Sequence, residues 1–438
     1  MSERMSGVDT AWLRMERPTN PMAITAVLIF RTTLTVARLK KTLRERFLAF
    51  ERFRQRPVQQ ASGYYWEEDR LFDLDRHVHR VALPRPGGRR ELQDLVSDLA
   101  STTLDPERPR WQFHLVEGFG RSGSALVMRI HHCYADGVAL MRVLLALTTD
   151  AKPERRSRGG LIAASLQWTG TLWQGYVELL LNPSKALQYV QTGAGATLEA
   201  IKLLTLPPEP QTRFRGELGL SKRVAWCQPL KLAAVKKVGK TFGCTVNDVL
   251  LAAAAGALGA YLGARHELAK GLEIHVAVPV NLRAPNAEEA LGNEFGLVFL
   301  GLPLGIADPV ARLQAVHERM EALRRSPQPL LILGLLGFAG QAPMAVQEQL
   351  LQILSSHATA VMTNVPGPQR RLRFAGAEID EQMFWVPQSG AISMGASILS
   401  YAGQVQFGLM TDAGRVPDPE RIVAHFPLEI ARLQEAVA

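Results

Sequence analysis

Residues 125–147, ALVMRIHHCYADGVALMRVLLAL, combine three local patterns in one short stretch. The first eight residues are mostly apolar and run into a turn signal, Asp136-Gly137, which is typical of a buried strand. The segment from Val138 to Leu147 is apolar nearly all round, as expected of a buried helix. A strand, a turn and a helix in direct succession predict an α/β fold around this stretch.

The adjacent histidines His131 and His132 must point to opposite faces of the predicted strand, because strand side chains alternate. His132 shares its face with Met128 and Ile130, whereas His131 shares the other face with Arg129. Only one of the two histidines can therefore face a given cavity, and the other is free to be structural. His132 ends the strand and opens onto the loop, so it is the better candidate for contact with a substrate.

A histidine in this position suits general base catalysis, because its pKa lies near neutral pH. Acyl transfer from a thioester to an alcohol needs a base that removes the hydroxyl proton as the oxygen attacks. A thiolate leaves readily, so this chemistry requires neither a strong acid nor a serine or cysteine nucleophile. The segment alone leaves catalysis and a structural histidine pair open. It disfavours a metal site, since the two rings diverge.

Asp136 has two interpretations. It orients the imidazole of His132, as the acid of a catalytic triad does, or it turns away and pairs with an arginine to fix the loop. The short turn favours the second interpretation. Gly137 is expected to supply a backbone conformation that is closed to other residues.

The second half of the chain carries another polar motif in front of an apolar helix. The sequence TVNDVLLAAAAGALGAYLG predicts a helix over Thr245 to Gly263, with Thr245 as the N-cap and Asp248 completing a capping box. Asn247 lies in the first turn of this helix. Its amide either polarises a substrate carbonyl or serves the helix terminus, and both roles stay open.

Other segments extend the α/β pattern over both halves of the chain. Strands are predicted over residues 24–30, 110–116 and 274–280, with a hairpin over 394–399 and 404–410, and a helix over 36–50. Trp111 is expected in the core. With 438 residues, two domains are the natural division. We assign them to residues 1–205 and 223–438, joined by a proline-rich linker over 206–222.

The composition narrows the class of protein. The net charge is +9, which suits an anionic small molecule, an anionic membrane or a nucleic acid. No zinc-finger, basic-zipper or RNA-binding signature is present, so we expect no nucleic-acid partner. The three cysteines, Cys133, Cys227 and Cys244, are widely spaced. This odd count predicts neither a disulfide framework nor a zinc site, and it favours the cytoplasm.

The motifs together resemble those of the bacterial wax ester synthase/diacylglycerol acyltransferases over nearly the whole chain. The opening GVDTAWLRMERPTNPM resembles the family's start, and HHCYADG matches its HHxxxDG motif. Residues 109–111, PRW, resemble a family PLW segment with an arginine in place of leucine. Further matching segments are TVNDV (245–249), PVNLR (279–283), GN (292–293) and NVPGP (364–368).

The resemblance implies two chloramphenicol-acetyltransferase-like domains, each a mixed β-sheet flanked by helices, with an active-site tunnel at their interface. It implies an acyl-CoA-dependent O-acyltransferase that makes wax ester from a fatty alcohol or triacylglycerol from diacylglycerol. Acyl-CoA is then a co-substrate, and no cofactor is expected. Peripheral contact with a membrane or lipid bodies is compatible with the positive charge.

Site roles follow from the same resemblance and from the residues. His132 is the expected base, with Asp136 and Asn247 as further catalytic candidates. Arg283 is expected to pair with Asp136 across the domain interface. Thr363 and Asn364 precede a Pro-Gly turn and either donate hydrogen bonds to the developing oxyanion or only shape the turn.

Two other functions remain open from the sequence. One is a related CoA-dependent acyltransferase with a small or polyketide-like alcohol acceptor. The other is a lipid-binding protein that keeps the fold without catalysis. The tryptophan-containing stretch 161–180 either lies on a membrane or packs under the linker, and residues 330–340 are expected to form a buried helix.

Overall fold

The structure is a computed structural model that describes residues 3–120, 122–148, 209–282, 291–293, 295–324, 326 and 328–437. Its helices are α1 (Gly7–Met15), α2 (Val36–Thr42), α3 (Arg89–Ala100), α4 (Gly137–Leu147), α5 (Leu232–Phe242), α6 (Val246–Gly263), α7 (Pro309–Leu323), α8 (Gln328–Ala339), α9 (Met344–Ser356) and α10 (Pro419–Glu435). Its strands are β1 (Glu3–Arg4), β2 (Ala23–Phe30), β3 (Gln55–Gln60), β4 (Gly63–Glu68), β5 (Val78–Ala82), β6 (Trp111–Phe119), β7 (Gly123–His131), β8 (Lys222–Trp226), β9 (Leu230–Lys231), β10 (Glu273–Asn281), β11 (Phe295–Pro303), β12 (Ala360–Pro366), β13 (Arg373–Phe374), β14 (Ala377–Trp385), β15 (Met394–Tyr401) and β16 (Gln404–Asp412).

The N-terminal half is built on a six-stranded mixed sheet in the order β13-β14-β2-β7-β6-β5. Strands β2 and β7 are antiparallel and central, with Ile24 opposite Ile130 and Ala23 opposite His131. Trp111 on β6 is fully buried, which confirms its predicted place in the core. A separate three-stranded sheet, β1-β4-β3, packs beside this core.

The C-terminal half contains a second mixed sheet in the order β11-β10-β12-β15-β16-β8, with β9 attached to β16. Strands β10, β12 and β15 are parallel neighbours, and the remaining pairs are antiparallel. Two mixed sheets with helices packed against them confirm the predicted α/β fold class. The predicted hairpin over 394–410 is confirmed as β15 and β16.

Helix α6 forms the centre of the C-terminal core. It packs against α5, α7 and α10 and faces the second sheet with its small and branched apolar side chains. Thr245 caps it and Asp248 closes a capping box, as predicted. The helix is long and apolar enough to cross a membrane, but 89% of it is buried inside the protein.

The two halves share one sheet. Strand β14 comes from the C-terminal half of the chain, yet it pairs with β2 in the N-terminal sheet. Trp385 at its end lies against Trp226 of β8, with ring centroids 5.3 Å apart. Lys222 pairs with Asp412 within the second sheet at 2.9 Å, and its Nζ also donates to the carbonyl of Thr19 at 2.8 Å, which links the two halves. The division of the chain at residues 206–222 stays a prediction. Strand β14 comes after this division in the sequence but belongs to the N-terminal sheet.

Two predicted elements differ in detail from the structure. The helix expected over residues 36–50 continues as a π-helical turn after Thr42 and ends near Phe47. Residues 330–340 form most of α8, but Phe338 is 59% exposed, so this helix is not wholly buried. Residues 161–180 lie outside the described residues.

Candidate active site

His132 directly follows β7, where backbone contacts from two directions fix it. Its N–H donates to the carbonyl of Met22 at 2.7 Å. Its carbonyl accepts from Nδ2 of Asn293 at 2.9 Å, and the same amide group donates to Oδ1 of Asp9 at 2.8 Å. The main chain of the predicted base is therefore held by segments more than 100 residues away on either side.

The imidazole of His132 lies between aromatic rings. The indole of Trp12 stacks on it face to face, with centroids 4.0 Å apart and planes 14° from parallel. Phe295 approaches at 5.9 Å in a tilted arrangement. Nδ1 of His132 is buried and has no hydrogen-bond partner in the described part of the chain.

The burial of His132 changes its protonation. Desolvation lowers its pKa to about 4, although the nearby charge of Asp136 acts in the opposite direction. The ring is therefore neutral near pH 7 and can accept a proton. This is the state that a general base requires before it reacts.

His131 points the other way, which confirms the predicted divergence of the two side chains. Its Nδ1 accepts the backbone N–H of Cys133 at 3.1 Å, so the neutral ring carries its proton on Nε2. Nε2 lies 3.6 Å from Oε1 of Glu16. Arg110 contacts the other oxygen of this carboxylate, Oε2, at 2.7 Å. Burial lowers the pKa of His131, and its contacts are those of a structural anchor.

Asp136 is the N-cap of α4. Its Oδ1 accepts from the backbone N–H groups of Val138 and Ala139, each at 3.0 Å, and its own N–H donates to the carbonyl of Gly292. Fixing the loop and the helix is thus one role of this carboxylate. Its predicted partner, Arg283, lies outside the described residues.

The structure corrects the expectation for Gly137. It begins α4 in an ordinary helical conformation, and it is not among the glycines with positive φ. A Cβ added at this position would meet no atom within 4 Å. The backbone conformation at residue 137 is therefore open to other residues. The absence of a side chain at Gly137 leaves space beside the site.

That space belongs to a cavity between α4 and the N-terminal sheet. Its volume is about 70 Å³, several times the roughly 10–15 Å³ that one water needs. The described residues that line it are Ile24, Ala26, Leu28, Phe47, Phe113, Met128, Ile130, Gly137, Leu140, Met141, Val143, Leu144, Leu147, Gln382, Met383, Phe384 and Leu399. Met128 and Ile130 of β7 line the cavity and His132 directly follows this strand, so the cavity lies along the strand that leads to the predicted base.

Asn247 meets another predicted residue across the C-terminal half. Its Oδ1 accepts from Nδ2 of Asn364 at 2.8 Å, which joins the first turn of α6 to β12. Asp248 accepts the N–H of Thr245 at 2.8 Å and contacts Nδ1 of His317, also at 2.8 Å. Asp248 therefore organises the helix terminus, as the capping interpretation predicts.

Thr363 and Asn364 do not act on the same side of β12. Adjacent strand residues diverge, and Asn364 points toward α6 while the hydroxyl of Thr363 bonds to Ser397 at 3.2 Å. Leu399, two residues after Ser397, lines the cavity. The oxyanion role stays a prediction for both residues, and the geometry separates them.

Several residues of the site were not assigned a role from the sequence. Trp12, Asn293 and Phe295 surround His132 from distant segments; Trp12 and Asn293 belong to segments that resemble the family, but neither was assigned a role from the sequence. Gln382 lines the apolar cavity with a buried amide that has no hydrogen-bond partner among the described residues. Asp9 and Glu16 were noted only as part of the N-terminal segment that resembles the family.

Family models match most of the chain. The wax ester synthase/diacylglycerol acyltransferase catalytic domain matches residues 5–250, and the WS/DGAT C-terminal domain matches residues 291–434. A probable diacylglycerol O-acyltransferase of Mycobacterium tuberculosis is 30% identical over 461 residues, covering 98% of both chains. A second from the same organism is 29% identical over 395 residues, covering 87% of this chain and 84% of its own length.

Solved structures share the fold. A wax ester synthase/diacylglycerol acyltransferase from Marinobacter aquaeolei VT8 superimposes with a TM-score of 0.70 at 22% identity, covering 99% of each chain. A variant of the starter condensation domain of rhizomide synthetase, solved with C8-CoA, has a TM-score of 0.57 at 15% identity. It matches 100% of this chain and 95% of its own. These likenesses confirm the expected chloramphenicol-acetyltransferase-like architecture.

Proposed function

Because the chain belongs to the wax ester synthase/diacylglycerol acyltransferase family and is an acyl-CoA-dependent O-acyltransferase, we propose that it acylates a fatty alcohol or a diacylglycerol. In this proposal the acyl donor is a long-chain acyl-CoA and His132 is the general base. The observation that carries the proposal is a buried His132 directly after β7, the strand whose Met128 and Ile130 line an apolar cavity.

The reaction has a simple balance of protons and bonds. The neutral imidazole of His132 takes the hydroxyl proton of the acceptor as its oxygen attacks the thioester carbonyl. The tetrahedral intermediate then collapses, the carbon–sulfur bond breaks and the ester forms. The CoA thiolate leaves and recovers a proton from the imidazolium, which returns His132 to its neutral state.

The oxyanion of the intermediate needs donors that are already in place. Asn247 and Thr363 are alternative candidates from the C-terminal half, since both side chains are buried but they lie on opposite sides of β12. The Asn364 amide supports Asn247 through their 2.8 Å hydrogen bond. We assign Asn364 a supporting role in this scheme.

The cavity favours a long hydrocarbon chain over a small acceptor. Its lining is apolar apart from Gln382 among the described residues, and burial of apolar surface is the main source of affinity for an alkyl chain. A small or polyketide-like alcohol would leave this surface unfilled. The proposal therefore ranks lipid substrates above the smaller acceptors.

The decisive experiment measures CoA release from palmitoyl-CoA with hexadecanol or dioleoylglycerol as the acceptor. We expect acceptor-dependent release in the wild type and a loss of roughly 10²- to 10⁴-fold in His132→Ala. His79→Ala, which changes a histidine on β5 away from the site, serves as the matched control and should stay near the wild-type rate.

Each alternative function has its own outcome in this assay. If neither lipid acceptor gives release but a short or polyketide-like alcohol added to the same assay does, the smaller class of acceptor would replace the lipid. Tight binding of palmitoyl-CoA without turnover under any condition would favour the non-catalytic lipid-binding protein. Full activity in His132→Ala would reject His132 as the base.

We also propose a cytoplasmic enzyme with peripheral contact to membranes or lipid bodies. Phe338 of α8 and Met344 and Val346 of α9 are exposed large apolar side chains on neighbouring helices, and the net charge of +9 favours an anionic surface. Flotation with anionic liposomes should weaken in a Phe338→Ser/Met344→Ser double variant. Equal flotation of variant and wild type would reject this contact.

A further inference from the structure

The orientation of the His132 ring needs a physical cause. In a serine-protease triad a carboxylate holds the distal nitrogen of the histidine. Among the described residues Nδ1 of His132 has no hydrogen-bond partner, and Oδ1 of Asp136 accepts from two backbone N–H groups of α4. The contact that lies along the whole ring plane is the parallel stack with Trp12, with centroids 4.0 Å apart.

Trp12 is itself held in a rigid frame. Ser6 caps helix α1, and its hydroxyl accepts the N–H of Asp9 at 3.1 Å. The helix packs closely against the end of α8, since a Cβ on Gly340 would come within 1.6 Å of the carbonyl oxygen of Gly7. The indole thus projects from a capped and closely packed helix.

The same helix also fixes the backbone of the histidine. Asp9 and Trp12 are three residues apart and therefore share one face of α1. Asp9 is linked through the Asn293 amide to the carbonyl of His132, while Trp12 covers the ring. One helical face thereby locates both the main chain and the side chain of the base.

We propose that Trp12 is the positioning residue of His132, which fixes the imidazole plane and stabilises the imidazolium formed when the acceptor gives up its proton. The inference rests on the proposed base role of His132. A stacked indole attracts a cation through its negative face, and the effect is largest when water is excluded. The 4% exposure of His132 meets that condition.

The test compares Trp12→Phe with Trp12→Leu. Phenylalanine keeps an aromatic face, and it loses no hydrogen bond to the residues that the structure describes, because the indole Nε1 has no partner among them. Leucine keeps an apolar contact without a π face. We expect kcat to fall about tenfold in Trp12→Leu with KM changed less than about threefold, and Trp12→Phe to retain a third or more of the rate.

The pH profile of kcat separates positioning from general damage. Loss of the indole should move the acidic limb of Trp12→Leu to lower pH, because the ring stays buried but its cation is no longer stabilised. Leu13→Ala loosens the packing of α1 beside Trp12. It should lower the melting temperature and leave the acidic limb of the kcat profile at the wild-type pH. The charged groups that act on the ring are Asp136 and His131, Asp9 is linked to the His132 backbone through Asn293, and all of them are unchanged in the three variants.

The outcomes are distinct from those of the proposed function. An active wild type, an inactive His132→Ala and a Trp12→Leu variant with unaltered kcat and pH limb would overturn this inference alone. A Trp12→Phe variant as slow as Trp12→Leu would overturn it too, since the aromatic face would then be irrelevant. Absence of acyl transfer in the wild type would instead remove the proposed function on which it rests.

Discussion

The site contains two motifs, HHCYADG and TVND, and each stands at the N-terminus of an apolar helix that is packed differently from the other. Helix α6 is enclosed on all sides by α5, α7, α10 and the second sheet. Helix α4 covers the first sheet but leaves a cavity of about 70 Å³ beneath it. Helices that are alike in hydrophobic character thus serve as a solid core in one half and as the wall of a binding space in the other.

The largest expected effect concerns stability. Leu251 of α6 is fully enclosed, so Leu251→Ala should lower the free energy of unfolding by about 3 kcal/mol or more. Leu144 of α4 already borders empty space, and Leu144→Ala should cost only about 1 kcal/mol, since less packing is lost. Urea unfolding of both variants measures the difference, and equal losses would contradict the contrast between the two helices.

A second comparison tests the motif in front of α6. Asn247→Ala should lower kcat about 100-fold if its amide serves the oxyanion, with little change in melting temperature. Thr245→Ala removes the cap of the same helix, so it should reduce stability by about 1 kcal/mol and leave kcat near that of the wild type. Steady-state kinetics with thermal melting would separate them. If Asn247→Ala keeps a kcat near that of the wild type, as Thr245→Ala is expected to do, Asn247 would have only a structural role.

A third change probes the entrance of the cavity beside α4. Gly137→Val places a branched side chain where a Cβ now meets nothing, so the fold should persist while a long chain loses space. We expect about a tenfold lower kcat/KM for palmitoyl-CoA, equivalent to about 1.4 kcal/mol, and a smaller loss for a short acyl-CoA. Gly137→Ala is the milder control. Equal losses for long and short donors would show that this space does not hold the chain.

The smallest expected effect is on the pH dependence of the rate. With the pKa of His132 lowered to about 4, the base is lost only as pH falls through that value. Between pH 7 and pH 5.5 the rate should change less than about twofold, whereas an imidazole of ordinary pKa would lose about tenfold. An acidic limb near pH 6.5 would contradict the dry environment of the ring.

The lowered pKa of His132 also determines how the free energy of unfolding changes with pH. The unfolded chain has an ordinary imidazole and binds a proton more readily than the folded site does. Stability from neutral His132 is therefore complete above about pH 6.5 and is lost as pH falls toward 4. Denaturant midpoints at pH 7 and pH 5 for wild type and His132→Ala would isolate this contribution, and identical differences at both values would refute it.

The local elements of the fold were largely predictable. Apolar runs placed β2, β7 and β10, and the capping pattern of Thr245 and Asp248 located the start of α6 almost to the residue. The divergence of His131 and His132 followed from strand geometry alone. These features depend on neighbours in sequence, which periodicity and capping rules describe well.

Features that join distant segments were not predictable in the same way. The stack of Trp12 on His132 bridges 120 residues, and Asn293 reaches His132 from the other half of the chain. Nor could the cavity under α4 be anticipated, because an apolar helix has the same pattern whether its surroundings are full or empty. The prediction for Gly137 was wrong for the same reason. Its backbone is ordinary, and what the glycine provides is space for the cavity.

The strand exchanged between the halves has a consequence for synthesis on the ribosome. Strand β2 ends at Phe30 and its partner β14 begins at Ala377, which is 377 − 30 = 347 positions later. At about 5–20 residues per second, β2 remains an open sheet edge for roughly 20–70 seconds. An exposed edge of this kind is prone to pairing with other chains. The window between the two strands is therefore the period in which a nascent chain is most vulnerable to aggregation and most dependent on chaperones.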